Sequence, residues 1–138
     1  MKSQFTIFYS WQSDISINRN AINDCIEKAI KLVTKTYSKD IKLEINIERD
    51  TKNKSGSPDI SDTIFKKILS SDIFVCDITL VNNNLLNLKS RLTPNPNVLI
   101  ELGFAINHLG WERIICIYNT NFGKNELLPF DIRGHRIL

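Results

Sequence analysis

Three short stretches of this chain are apolar almost without interruption: Phe5-Thr6-Ile7-Phe8-Tyr9, Ile73-Phe74-Val75-Cys76 and Ile114-Ile115-Cys116-Ile117-Tyr118 after Arg113. A strand with one solvated face alternates apolar and polar residues. An unbroken apolar run of this length is what a strand covered on both faces looks like, and such strands belong to parallel sheets with helices on either side. The segments between them carry helical periodicity. Ile22, Cys25, Ile26, Ala29, Ile30 and Val33 recur at helical spacing within residues 16–37. Ser57-Pro58-Asp59 reads as a helix start, and the helix that follows, to Ser70, is expected to bury Ile60, Ile64, Ile68 and Leu69. Asn95-Pro96 opens a third helix that runs to Leu109.

Residues 41–47 behave differently, with Ile41, Leu43, Ile45 and Ile47 set against Lys42, Glu44 and Asn46. That strict alternation predicts a half-buried strand at or near a sheet edge. Strands alternating with helices predict an α/β fold, a flavodoxin-like three-layer sandwich with a parallel sheet in the order 2-1-3-4-5. Residues 119–131 read as a loop, and 81–93, rich in Asn and Leu, carry no assignable pattern. Arg136-Ile137-Leu138 would begin the fifth strand, so the helix that should close one face is absent. The expectation is one domain over residues 1–138 that is part of a longer protein, or whose open face a partner covers.

At 138 residues, 42% hydrophobic and 24% charged, the composition is that of an ordinary soluble domain with one core. The longest nearly apolar run, residues 98–106, is broken by Glu101 and too short to span a bilayer, and the opening Met1-Lys2-Ser3-Gln4 leads straight into a strand pattern. No membrane partner and a cytoplasmic location are expected. A net charge of +3 with no basic stripe argues against nucleic acid as a partner. Cys25, Cys76 and Cys116 are far apart in sequence and lie in helix and strand patterns, which predicts buried, reduced thiols. His108 and His135 are too isolated to form a ligand set, so no metal and no bound cofactor are expected.

In folds of this class ligands bind beyond the carboxyl ends of the strands, where the strand order reverses. That point lies between the strand ending at Tyr9 and the strand ending near Asp77. The most informative residue there is Glu101, a single carboxylate in Val98-Leu99-Ile100-Glu101-Leu102-Gly103-Phe104-Ala105-Ile106. A carboxylate in an apolar helix must be paired, neutralised or exposed to a cleft. It stands about two turns from a helix start that faces the ligand edge, with Asn97 one turn earlier on the same face. The plainer alternatives are a narrow solvent stripe or a structural arginine for Glu101, helix capping for Asn95, and close helix–sheet packing for Gly103. The loop Ser10-Trp11-Gln12-Ser13-Asp14 offers hydroxyls, an amide and an indole that can stack on a base, or merely pack on the surface. Arg49 and Asp50 could reach a phosphate or ribose, or form a surface ion pair. Asp77 could bind ligand or close a local turn. Neither a dinucleotide fingerprint nor a P-loop is present.

Together, Phe8-Tyr9-Ser10-Trp11-Gln12-Ser13-Asp14, Glu48-Arg49-Asp50 with its following loop, Ser71-Asp72-Ile73-Phe74-Val75-Cys76-Asp77 and Asn97-Val98-Leu99-Ile100-Glu101-Leu102-Gly103 resemble the bacterial TIR (Toll/interleukin-1 receptor-like) domains, in particular the TIR-like nucleotide-binding modules of anti-phage defence proteins. The likeness covers most of the chain, and its most specific piece is the N-x-x-x-E-L-G run. The opening F-Y-S-W-Q-S-D departs from the commoner aromatic-small-S-[YH] form. The resemblance implies cleavage of the nicotinamide–ribose bond of NAD, giving nicotinamide and ADP-ribose or a cyclic form. Glu101 would be the catalytic residue, and Tyr9, Ser10, Trp11, Arg49, Asp50, Asp77 and Asn97 would bind substrate. NAD enters as substrate rather than cofactor.

Two rival readings stand beside it. One is a nucleoside deoxyribosyltransferase-like enzyme with a similarly placed glutamate. The other is a non-catalytic TIR module that assembles or senses a nucleotide. The polar loop 50–57, which in TIR domains shapes the pocket and touches the neighbouring subunit, adds the expectation of self-association through TIR surfaces and of a further sensor domain or protein.

Overall fold

The computed structural model describes residues 3–37, 43–49, 60–83 and 91–138. The elements run β1 (Gln4–Ser10), α1 (Ser16–Tyr37), β2 (Glu44–Arg49), α2 (Ile60–Ser70), β3 (Ile73–Asp77), α3 (Pro96–Leu109), β4 (Ile114–Ile117) and α4 (Phe130–Arg133). All strand pairings are parallel, and the order is β2-β1-β3-β4. This is the expected α/β, flavodoxin-like arrangement. The alternating strand is at the edge, and the apolar runs of β1 and β3 form the middle.

The fifth position is occupied by a contact rather than a strand. Ile137 makes one parallel bridge to Cys116, the Leu138 N–H donates to the Cys116 carbonyl at 2.9 Å, and the Tyr118 N–H donates to the Leu138 carbonyl at 2.9 Å. Residues 136–138 therefore lie on the expected side of β4, but no fifth strand forms among the described residues.

Side chains of successive strand residues point to opposite faces, and here this sorts the core into two layers. Phe8, Phe74, Cys76 and Cys116 pack against Ile64 and Ile68 of α2 and Val98, Leu102, Ala105 and Leu109 of α3. Phe8 and Phe74 stack with ring centroids 5.8 Å apart. On the other face Tyr9 and Val75, with Ile7, Ile47 and Ile73 beside them, meet Ile22 and Ile26 of α1. The α1 layer is the thinner one. That explains three departures from the helical pattern: Cys25 and Ala29 are exposed, and Val33 is 39% exposed. The stripe that α1 buries is narrower than its periodicity suggests.

Other expectations need correcting. Leu69 is 50% exposed, because the buried stripe of α2 is Ile64 and Ile68, with Phe65 stacked on Phe104 of α3. The Ile60 side chain and the helix-start signal at Ser57-Pro58-Asp59 lie outside the described residues, as do Ile41 and Lys42 and most of the segment 81–93. β2 begins at Glu44 and extends to Arg49, two residues beyond the alternating run. Residues 119–131 are not a featureless loop. They form two short 3-10 turns, Thr120–Phe122 and Asn125–Leu127, and lead into α4, with Leu128 and Ile132 closing the end of the α2–α3 layer. Gly103 is exposed, and a Cβ there would meet nothing within 4 Å, so it is not a close-packing glycine. No helix among the described residues is long and apolar enough to cross a membrane.

Candidate active site

The parity of β1 decides where its last residues point. Ser10 shares the α2–α3 face with Phe8, and Glu101 comes down onto that face from α3. The Ser10 hydroxyl donates to Glu101 Oε2 at 2.5 Å, and both residues are buried. The one carboxylate of α3, in its apolar stretch 98–106, is thus aimed at the carboxyl end of the central strand. Ser10 is in register with Cys76 of β3.

Tyr9, one residue earlier, points to the α1 face. Its register partner on β2 is Arg49, and both line a cavity of about 440 Å³ between α1 and the end of β2, together with Trp11, Arg19, Asn23 and Glu27. Trp11 is half-buried, and the Arg19 guanidinium lies 4.7 Å from its ring centroid. Arg49 is tied back to α1. Its Nε donates to Asn23 Oδ1 at 3.0 Å, and its Nη2 donates to the same oxygen and to Glu27 Oε1 at 3.3 Å. The sequence-predicted residues therefore fall into two groups on opposite faces of the sheet, Ser10 with Glu101 and Tyr9 with Trp11 and Arg49.

Residues 22–137 match the family of the CAP12/Pycsar effector protein, TIR domain. The chain belongs to this family. It is a bacterial TIR-like domain of anti-phage defence, as its motifs suggested. No curated protein sequence matches the chain. Among solved structures it is similar to the 2-desoxiribosyltransferase from Leishmania mexicana, with 16% identity, a TM-score of 0.48 and 83% of this chain covered. The chain spans 64% of that protein's length.

In this TIR domain the edge between the two groups is stitched by buried amides that the sequence reading did not single out. Gln12, 1% exposed, donates through Nε2 to the Thr79 carbonyl at 2.7 Å and accepts the Asn95 N–H at 3.0 Å. It joins the loop after β1 to the turn after β3 and to the start of α3. Asn18 of α1 donates to Thr79 Oγ1 at 3.1 Å and accepts from Asn119 Nδ2 at 2.8 Å. Thr79 Oγ1 also accepts the Asn119 N–H at 2.9 Å. Asp77, fully buried, accepts the Thr79 N–H on Oδ1 at 2.9 Å and so closes a local turn, while its Oδ2 has no hydrogen-bond partner among the described residues. Burial pushes the Asp77 carboxyl up, partly offset by the hydrogen-bonding groups of Thr79, Asn18 and Gln12.

Asn95 caps α3 with its side-chain oxygen on the Asn97 N–H at 2.9 Å, and its Nδ2 donates to Asp14 Oδ2 at 2.7 Å. Asn97 itself is exposed on the first turn of α3. Asp50 and the loop to Ser57 lie outside the described residues. The sequence reading ends the first strand at Tyr9 and puts Ser10 in the loop, whereas β1 runs to Ser10, and consecutive strand residues cannot share a face.

Proposed function

We propose that this TIR domain cleaves the N-glycosidic bond between nicotinamide and ribose in NAD, releasing nicotinamide and ADP-ribose or its cyclised form, as an effector step in defence against phage. The observation that supports this most strongly is the buried Glu101 carboxylate held by the Ser10 hydroxyl at the carboxyl end of β1. Cleavage moves the bonding electrons of the C1′–N bond onto the pyridinium ring. Nicotinamide leaves neutral and the ribose takes up oxocarbenium character, so no general acid is needed. A carboxylate beside C1′ stabilises that developing charge, and it can accept the proton of the water, or of an adenosine ribose hydroxyl, that then adds. Ser10 fixes the carboxylate's orientation before substrate arrives, which is the preorganisation such electrostatic catalysis requires.

NAD and, separately, a 2′-deoxynucleoside are incubated with concentrated protein and the products separated by chromatography. Nicotinamide release from NAD, with the deoxynucleoside untouched, is the expected result. Base release from the deoxynucleoside with NAD intact would assign the site to deoxyribosyl transfer instead. An inert protein whose defence role survives loss of Glu101 would make it a non-catalytic module.

A further inference from the structure

The cavity between α1 and the end of β2 stands on the opposite sheet face from Ser10 and Glu101, yet its Tyr9 and Trp11 flank Ser10 in sequence. Arg19, Asn23 and Glu27 follow one another at four-residue intervals along α1 and form one helix face, with Arg49 opposite them. Among the described lining residues two guanidinium groups meet one carboxylate, so that lining is cationic on balance. The volume of about 440 Å³ falls in the range of small-ligand pockets. We infer that this cavity receives the adenosine diphosphate half of the dinucleotide, with Glu27 as an internal stand-in for its phosphate. The inference rests on the reading of the protein as an NAD-cleaving domain.

The geometry gives the reason. Arginine's planar fork suits phosphate oxygens, and in the free protein the Arg49 fork is filled by Asn23 Oδ1 and Glu27 Oε1. The Arg49–Glu27 pair is 3.3 Å long and close to half exposed on both sides, at 44% and 46%, so exchanging the carboxylate for a phosphate costs little. Arg19 on the Trp11 ring supplies a second cation beside an aromatic surface. Glu27 then acts as a specificity device. It yields to a diphosphate and has nothing to exchange with in nicotinamide riboside, which carries no phosphate, so that half of the substrate does not engage the cavity.

Calorimetric titration with ADP and with nicotinamide riboside tests this in four proteins: the parent, Arg49→Ala, Glu27→Gln and Glu101→Gln. ADP binding is expected to weaken about tenfold or more in Arg49→Ala. It is expected to tighten about two- to fivefold in Glu27→Gln, and to be unchanged in Glu101→Gln. Nicotinamide riboside binding is expected to ignore Arg49 and Glu27. Because Glu27→Gln lies on an exposed helix face and changes affinity in the opposite direction, a misfolded Arg49→Ala cannot imitate the pattern. No ADP binding, or ADP affinity that is the same with and without Arg49 and Glu27, overturns the inference. ADP binding with the expected dependence in a protein that leaves NAD intact upholds the cavity and refutes the reaction.

Discussion

At the scale of single residues, two carboxyl groups near one sheet edge have different surroundings. Glu101 is held by Ser10 on the α3 face. Asp77 is sealed on the α1 side with one oxygen unpartnered among the described residues, and burial raises its pKa. A raised native pKa means that the folded protein binds the Asp77 proton more tightly than the unfolded chain does. Its contribution favours folding below the unfolded-state value near 3.8 and is lost as pH rises through the raised native value. Asp77→Asn keeps an oxygen for the Thr79 N–H and removes the charge. Thermal unfolding is therefore expected to show the variant more stable than the parent at neutral pH, with the gain vanishing near pH 3. A variant less stable than the parent at neutral pH would mean that the charge itself supports the fold. The sequence left Asp77 open between ligand and turn. What it could not show is that Asn18, Gln12 and Thr79 converge there, since these pairings cross 61 to 67 positions of chain.

At the scale of elements, the placement of Glu101 depends on how α3 is started. Asn95 and Pro96 were legible as a helix opening because capping chemistry is local. Gln12 was not, because both its partners are backbone groups remote in sequence. Asn95→Ala removes the cap and the Asp14 contact and is expected to cost about 1 kcal/mol in urea unfolding. Gln12→Leu leaves the Thr79 carbonyl and the Asn95 N–H without this partner and is expected to cost more, about 2–4 kcal/mol. A smaller loss for Gln12→Leu than for Asn95→Ala would show that water satisfies both groups.

Helix periodicity placed α1 to the residue, yet it overstated how much of α1 is buried, because Cys25 and Val33 flank a face that only Ile22 and Ile26 fully cover. The 3-10 turns and the four-residue α4 escaped the sequence reading because elements that short carry no period.

At the scale of the whole molecule, the strand order and its edge followed from three apolar runs and one alternating one. The division of the candidate site between two sheet faces follows from the same alternation at Tyr9 and Ser10. We propose in addition that the domain works as an assembly, an idea carried by the TIR resemblance of the loop 50–57, which lies outside the described residues. Specific activity is expected to rise with protein concentration over a hundredfold range, and flat specific activity would show that the monomer suffices.

The central claim is that Glu101 supplies the carboxylate on which bond cleavage depends. The most direct measurement is nicotinamide release from NAD by the parent and by Glu101→Gln at equal concentration, with circular dichroism establishing that both are folded. The glutamine keeps the shape and an acceptor for the Ser10 hydroxyl while removing the charge. The account predicts that turnover falls by about 100-fold or more with the fold unchanged. Near-parental nicotinamide release by folded Glu101→Gln would contradict it.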